Sequence, residues 1–175
     1  MKLLLSLALA APLAAALVVY FFLRRPHAGL HAGSMAPDFK LQDDKGAWRT
    51  LQEFRGKNVV LYFYPHDDTP GCTAQACSFR DLAYLYGQHG IVVLGINYDS
   101  PESHAAFKEK YRLPFTLLSD ADHTVTYAYG AQGATPLLPQ RITFLIDPQG
   151  KIIKVLHGID VKSYAESVLK EFDLK

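Results

Sequence analysis

Cys72 and Cys77 are the only two cysteines in a chain of 175 residues, and they stand five positions apart. Two cysteines this close do not make a disulfide scaffold, in which many bridges staple a small secreted chain. They read as a working redox pair. Cys72 ends the run Tyr64-Pro65-His66-Asp67-Asp68-Thr69-Pro70-Gly71-Cys72, which follows the apolar stretch Val59-Val60-Leu61-Tyr62-Phe63 and precedes a helical pattern. That places Cys72 at a strand-to-helix turn, in or near the first helical turn. Unpaired amide N–H groups and the positive end of the helix dipole favour an anion there. A thiolate is such an anion, and it is the reactive form of cysteine. The chemistry implied is oxidation and reduction at sulfur.

The elements that must position this sulfur follow from periodicity. Val59 to Tyr64 and Ile91 to Ile96 are continuous apolar runs of strand length, expected for strands buried on both faces. Between them, Cys72, Ala76, Phe79, Ala83 and Tyr86 recur at spacings of four and three, which predicts one helical face ended by Gly87 and Gly90. Pro101 opens another helix, with Ala105, Phe107 and Tyr111 among its apolar residues. Phe115 to Leu118 is a short strand, Asp122 to Tyr129 a short helix, and 130–139 a loop. Ile142 to Ile146 and Ile152 to Leu156 form a hairpin across Asp147-Pro148-Gln149-Gly150, whose residues fit a type I turn. A smaller hairpin flanks Asp43-Asp44-Lys45-Gly46, and Lys162 to Phe172 is a final amphipathic helix. Strands alternating with helices and closing in a hairpin indicate an α/β domain with a mixed central sheet and helices on both faces. The pattern is that of a thioredoxin-like fold. His89, His104 and His123 are expected at the surface.

The first 25 residues differ from the rest. Leu3 to Leu23 is an apolar run of 21 residues interrupted only by Ser6 and Pro12, closed by Arg24 and Arg25. About 20 apolar residues span a bilayer core. The run reads as an uncleaved membrane anchor forming an N-terminal hydrophobic helix. A cleaved signal peptide is the rival, but the run continues past the small-residue sites at 8–10 and 14–16. Residues 26–35 are small and Gly-rich, a linker, and 36–175 form one domain. The positive-inside rule is near a tie, and a short basic start ahead of an export-like segment favours an exported, periplasmic globular part over a cytoplasmic one. Without Lys2, Arg24 and Arg25, 15 basic residues face 17 acidic ones. No basic stripe is present, which argues against nucleic-acid binding. His27 and His31 lie in the linker, outside any dense ligand cluster.

Several separated motifs then agree in order. Pro65-x-x-x-Thr69-x-x-Cys72 resembles the active-site signature of peroxiredoxins. The longer Phe63-Tyr64-Pro65-x-Asp67-Asp68-Thr69-Pro70-Gly71-Cys72-Thr73 and Ala76-Cys77-Ser78-Phe79-Arg80-Asp81 resemble the Q-type branch, the bacterioferritin comigratory proteins. Ala36-Pro37-Asp38-Phe39 and Arg141-x-Thr143-Phe144-Leu145-Ile146-Asp147 fit as well, so the similarity runs from 36 to about 172. The resemblance implies a thiol peroxidase that reduces hydrogen peroxide and organic hydroperoxides, with no cofactor and no metal. Cys72 would be the peroxidatic cysteine, passing through a sulfenic acid. Thr69 would bring its hydroxyl toward the thiolate and the peroxide, and Pro65 would shield the sulfur from bulk water. Arg141 would hold the thiolate ionised with a permanent charge. Cys77 would be the resolving cysteine, closing an intramolecular disulfide that thioredoxin or a similar reductase reopens. Residues five apart in a helix have Cα atoms about 8.6 Å apart. A disulfide tolerates at most about 7 Å. The bond therefore requires residues 72–77 to unwind. The family further implies a monomer or weak dimer. His66 stands where the branch often carries Lys, and Gln75 where it often carries Glu.

Two other readings share the fold and the anchor. A membrane-anchored thiol–disulfide oxidoreductase needs Cys-x-x-Cys, whereas four residues separate the cysteines here. A copper chaperone of the Sco kind pairs two thiolates with a distant histidine, for which His157 is the candidate, and soft thiolates suit Cu(I). That role leaves Thr69 and Arg141 without a purpose.

Overall fold

The computed structural model of the protein describes residues 29–135, 137–158, 160–161 and 163–172. The anchor expected at 1–25 lies outside them. No helix among the described residues is long and apolar enough to cross a membrane.

Among the described residues, seven strands form one mixed sheet. They are β1 (Lys40–Asp43), β2 (Trp48–Thr50), β3 (Asn58–Phe63), β4 (Ile91–Asn97), β5 (Thr116–Ser119), β6 (Ile142–Ile146) and β7 (Ile152–His157). Their spatial order is β2-β1-β5-β4-β3-β6-β7. β3, β4 and β5 run parallel, and every other pairing is antiparallel. Side chains alternate across a strand, and in β3 both faces are covered. Val60 and Tyr62 enter one core with the helices α1 (Pro70–Asp81), α2 (Ala83–Gln88), α3 (Pro101–Tyr111) and α5 (Tyr164–Lys170). Val59, Leu61 and Phe63 enter a second core with α4 (Thr124–Ala128) and a short 3-10 helix, Leu51–Phe54. This is the thioredoxin-like α/β arrangement, with helices on both faces. It explains why the sequence of β3 is apolar at consecutive positions rather than at alternate ones.

Three expectations need correction. The face running from Cys72 to Tyr86 is two helices, not one, because Leu82 leaves helical geometry at φ −104, ψ 8. The break lets Tyr86 reach across to donate its hydroxyl to the Ala165 carbonyl at 2.7 Å. The stretch expected to be linker up to residue 35 is already fastened to the sheet at Gly33. There the Gly33 N–H donates to the Ile152 carbonyl and the Ile152 N–H to the Ser34 carbonyl, each at 2.8 Å. The start of β7 offers edge groups that would otherwise be unpaired. His104 is fully buried rather than at the surface.

Gly95 shows how the site-bearing strand is seated. A Cβ there would lie 2.7 Å from the Tyr62 ring and 2.8 Å from Leu117. Only glycine lets the ring of Tyr62 cross β4 and stack on Phe79 of α1, with ring centres 5.1 Å apart.

Candidate active site

β3 ends at Phe63, and Tyr64 continues its line, its N–H donating to the Ile96 carbonyl at 3.2 Å. The chain then turns through 65–69. Asp67 is the hub of this turn. Its Oδ1 accepts from the Tyr64 hydroxyl at 2.6 Å and from Asn97 Nδ2 at 3.2 Å. Its Oδ2 accepts from Ser103 Oγ and pairs with His104 Nδ1, each at 2.8 Å. Its own N–H donates to Asp99 Oδ2 at 2.7 Å. Burial alone would raise the Asp67 carboxyl. The hydrogen bond and attraction of His104, with the bonds from Tyr64 and Ser103, hold it below its ordinary value instead. Asp68 follows with φ 55, a left-handed conformation that aspartate tolerates better than most residues. Lys110 Nζ and the Tyr111 hydroxyl, both from the end of α3, donate to its carboxylate at 2.6 Å.

Thr69 is the N-cap of α1, extended at φ −84, ψ 150, and Pro70 takes the first helical position. No side chain caps this helix. The Thr69 hydroxyl donates to the His66 carbonyl at 3.2 Å, turned back along the loop rather than onto the helix. The N–H groups of the first turn stay open to an anion, as the dipole favours. Cys72 sits in that turn, 2% exposed. Arg141, just ahead of β6, reaches over it and places Nη2 3.3 Å from the Cys72 sulfur. β6 pairs directly with β3, with Ile142 opposite Phe63. The two ends of the site are therefore set by one strand register.

Of the expected site residues, Cys72 and Arg141 are in contact, and Pro65 and Thr69 bracket the anchored turn. Cys77 lies half-buried further along α1, and both cysteines are free thiols. With residues 70–81 helical, the sulfurs cannot bond, as the helix geometry requires.

Sequence reasoning placed Gln75 beside the site without its partner, and it missed His104. Gln75 is 0% exposed, and its Oε1 accepts a hydrogen bond from Arg141 Nη1. Its position three residues after Cys72, on the same helical face, was the available signal. The spacing of His104 to Phe107 and Tyr111, three and then four residues, puts it on the inner face of α3. Above the site, the buried hydroxyl of Tyr62 has no partner. Burial, reinforced by the charges of Asp67 and Cys72, pushes its pKa well above the phenol range, so it stays neutral. No group of three or more His, Cys, Asp or Glu among the described residues could hold a metal ion.

Comparison with known proteins adds a second line of observation. Residues 32–155 match the AhpC/TSA family. A peroxiredoxin Bcp of Bacillus subtilis is 40% identical over 147 residues, covering 81% of this chain and 94% of that protein. The crystal structure of the peroxidoxin BcpB from Mycobacterium tuberculosis superposes with a TM-score of 0.75 at 35% identity, over 81% of this chain and 96% of that one. The bacterioferritin comigratory protein of Xanthomonas campestris, whose solved structures address its alkyl peroxide reduction, gives a TM-score of 0.70 at 31% identity, over 75% and 88%.

Proposed function

This chain belongs to the AhpC/TSA family and is a thiol-dependent peroxidase of the Bcp and peroxiredoxin Q kind, and we propose that Cys72 is its peroxidatic cysteine and Cys77 its resolving one. The observation that carries the assignment is the contact between Arg141 Nη2 and the Cys72 sulfur, at 3.3 Å, in the open first turn of a helix.

The Cys72 thiolate attacks one oxygen of a hydroperoxide. The O–O bond breaks, and the departing alkoxide takes a proton to leave as an alcohol, or as water from hydrogen peroxide. The sulfur keeps the other oxygen as a sulfenic acid. Arg141 stabilises the thiolate before attack and the negative charge that develops on the peroxide oxygens during it. Thr69 sits one turn before the sulfur, where a small rotation brings its hydroxyl to the peroxide, and Pro65 walls the turn from bulk water. Residues 72–77 then unwind. The Cys77 thiolate attacks the sulfenic sulfur, hydroxide leaves as water after protonation, and a disulfide remains. A thioredoxin-like dithiol reopens it by exchange. The relatives support the peroxide substrates, including the alkyl peroxides named for the Xanthomonas campestris protein.

Arg141 also argues against the copper-chaperone reading, since a fixed cation beside the thiolate opposes a bound Cu(I). The thiol–disulfide oxidoreductase reading gains no support from the relatives, which are peroxiredoxins.

Mass spectrometry after peroxide treatment tests the assignment. Cys72→Ser abolishes peroxide consumption. Cys77→Ser allows one turnover and then stalls with thioredoxin as the only reductant. If Cys77→Ser recycles at the parent rate, the resolving role is wrong. We further propose that the apolar run 3–23 tethers the enzyme to a membrane with the catalytic domain exported; its sequence supports the reading. Recovery of the intact chain in the soluble fraction would contradict it.

A further inference from the structure

The chain ahead of β1 is fastened to the domain far from the sulfur. Gly33 and Ser34 pair with Ile152 at the start of β7, Met35 bridges Lys151, and the Ala36 N–H donates to the Gly150 carbonyl at 3.0 Å. Leu30 packs on the second core, the one that holds α4 and the 3-10 helix. α1 and Cys72 belong to the first core, on the other side of the sheet. They also stand at its other end. β7 starts beside the end of β6, with Ile152 opposite Ile146, whereas the site lies where Ile142 faces Phe63.

Positive charge gathers where this segment is fastened. Arg55, Lys57 and Lys151 are all exposed. The Gly56 N–H donates to the Pro148 carbonyl at 3.0 Å and Arg55 Nη1 donates to the Gln149 carbonyl, so the loop at 55–57 lies against the β6–β7 turn. Residues 55–57 and 147–151 together carry these three cations and one acid, Asp147. Its Oδ1 already accepts from the N–H groups of Gln149 and Lys151. Met35, 57% exposed, and Ile153, 40% exposed, add apolar surface beside them. Residues 26–29 are all that separate Arg24 and Arg25 from Leu30. Five steps of chain reach about 17 Å at full stretch. A domain of about 140 residues is on the order of 35 Å across.

We propose that the surface formed by Arg55, Lys57, Lys151, Met35 and Ile153 rests on the anionic lipid surface of the membrane that holds the apolar run 3–23, so that α1 and its cysteines open to the aqueous phase. The inference rests on the membrane reading above and deepens it. The tether is too short to carry the bilayer around the domain to α1. Clustered Lys and Arg beside a membrane-held segment are drawn to anionic headgroups, by about fivefold in the contact equilibrium for each cation near the surface. The exposed Met35 and Ile153 side chains then enter the boundary between headgroups and acyl chains, where apolar area leaves water. A thioredoxin-like dithiol approaches Cys72 and Cys77 from the solvent side, and a hydroperoxide arrives from water rather than from the lipid below.

Headgroup quenching decides which face meets the lipid. Full-length protein is reconstituted in vesicles of phosphatidylcholine and phosphatidylglycerol that carry a nitroxide on a fraction of the headgroups, and tryptophan fluorescence is read. Trp48, the single tryptophan, is first removed as Trp48→Phe. In that background Met35→Trp should be quenched strongly. Tyr84→Trp, on α2 and 79% exposed, should be quenched weakly. Lys57→Gln together with Lys151→Gln should weaken the lipid contact of Met35→Trp roughly 25-fold. Vesicles of phosphatidylcholine alone should weaken it as well. Equal quenching at positions 35 and 84 overturns the proposal, as does quenching at 35 that ignores both the lysine changes and the loss of anionic lipid. A chain that fails to float with the vesicles would instead overturn the membrane reading itself.

Discussion

The turn at 65–68 and the first turns of α1 are adjacent in sequence and are held in opposite ways. Asp67 receives four side-chain hydrogen bonds, drawn from the end of β3, the end of β4 and the start of α3. Asp68 is held by the other end of α3. Among the described residues, the side-chain hydrogen bonds of Cys72 and Gln75 at the beginning of α1 go to Arg141. Its far end is fastened again, where Arg80 Nη1 donates to the Tyr111 carbonyl at 3.0 Å. α3 thus grips the chain on both sides of a segment it leaves alone. The difference separates two tasks. On the proposed cycle, the turn keeps Pro65 and Thr69 in place through every step, whereas the helix loses its shape once per turnover.

Replacing the single anchor of the labile part should have the largest effect. Arg141→Ala is expected to slow the peroxide step by about a hundredfold or more, as removal of a charge-stabilising donor does in other active sites. The fold should stay intact, since Arg141 stands just outside β6. Stopped-flow peroxide consumption with parallel circular dichroism checks both halves, and an unchanged rate would remove Arg141 from the site.

Breaking the anchored part should instead cost stability. Asp67→Ala leaves the buried Tyr64 hydroxyl and His104 ring, and the half-buried Ser103 hydroxyl, without their acceptor, and about 3–5 kcal/mol is the usual cost of breaking such a buried pair. Denaturant melts measure it. A loss under 1 kcal/mol would mean the network is not the anchor described here. The same carboxyl carries a pH signature. Its folded pKa is held below the unfolded value. The stability it adds is therefore present above the ordinary carboxylate range and is lost as pH falls below about 4. Asp67→Asn should flatten that acid limb of the melting curve.

Gly95→Ala tests the seat of Tyr62 and sharpens the contrast between core and site. The added methyl meets ring and leucine at under 3 Å, and overpacking of this kind costs about 1–3 kcal/mol. The smallest perturbation is isotopic. Native-state hydrogen exchange should show amides of 71–78 opening sub-globally, while those of β3 and β4 exchange only on global unfolding. Equal protection in both would abolish the comparison.

Much of this was legible in the residues. The pattern 59–64, 91–96 and 142–146 located the three central strands because full burial leaves consecutive apolar positions. The spacing Pro65, Thr69, Cys72 located the turn and the sulfur, because proline, a capping residue and a helix start each leave a local trace. Arg141 was found only through its motif, and nothing in its immediate neighbours points across 69 positions to Cys72. The burial of His104 and the partner of Gln75 went unrecognised for a related reason. A buried polar residue looks like a surface one until its partners are known, and those of His104 and Gln75 lie 37 and 66 residues away.

What the sequence determined alone was local: which segments are strands, where a helix begins, and which residue stands in its first turn. These depend on backbone preferences and on periodicity within a few residues. The pairing of β6 with β3, the placing of a guanidinium on a sulfur, and the sharing of that guanidinium with a neutral amide were decided by the tertiary structure. They depend on distances between chain segments that are remote in sequence, and those distances exist only after the sheet has chosen its register.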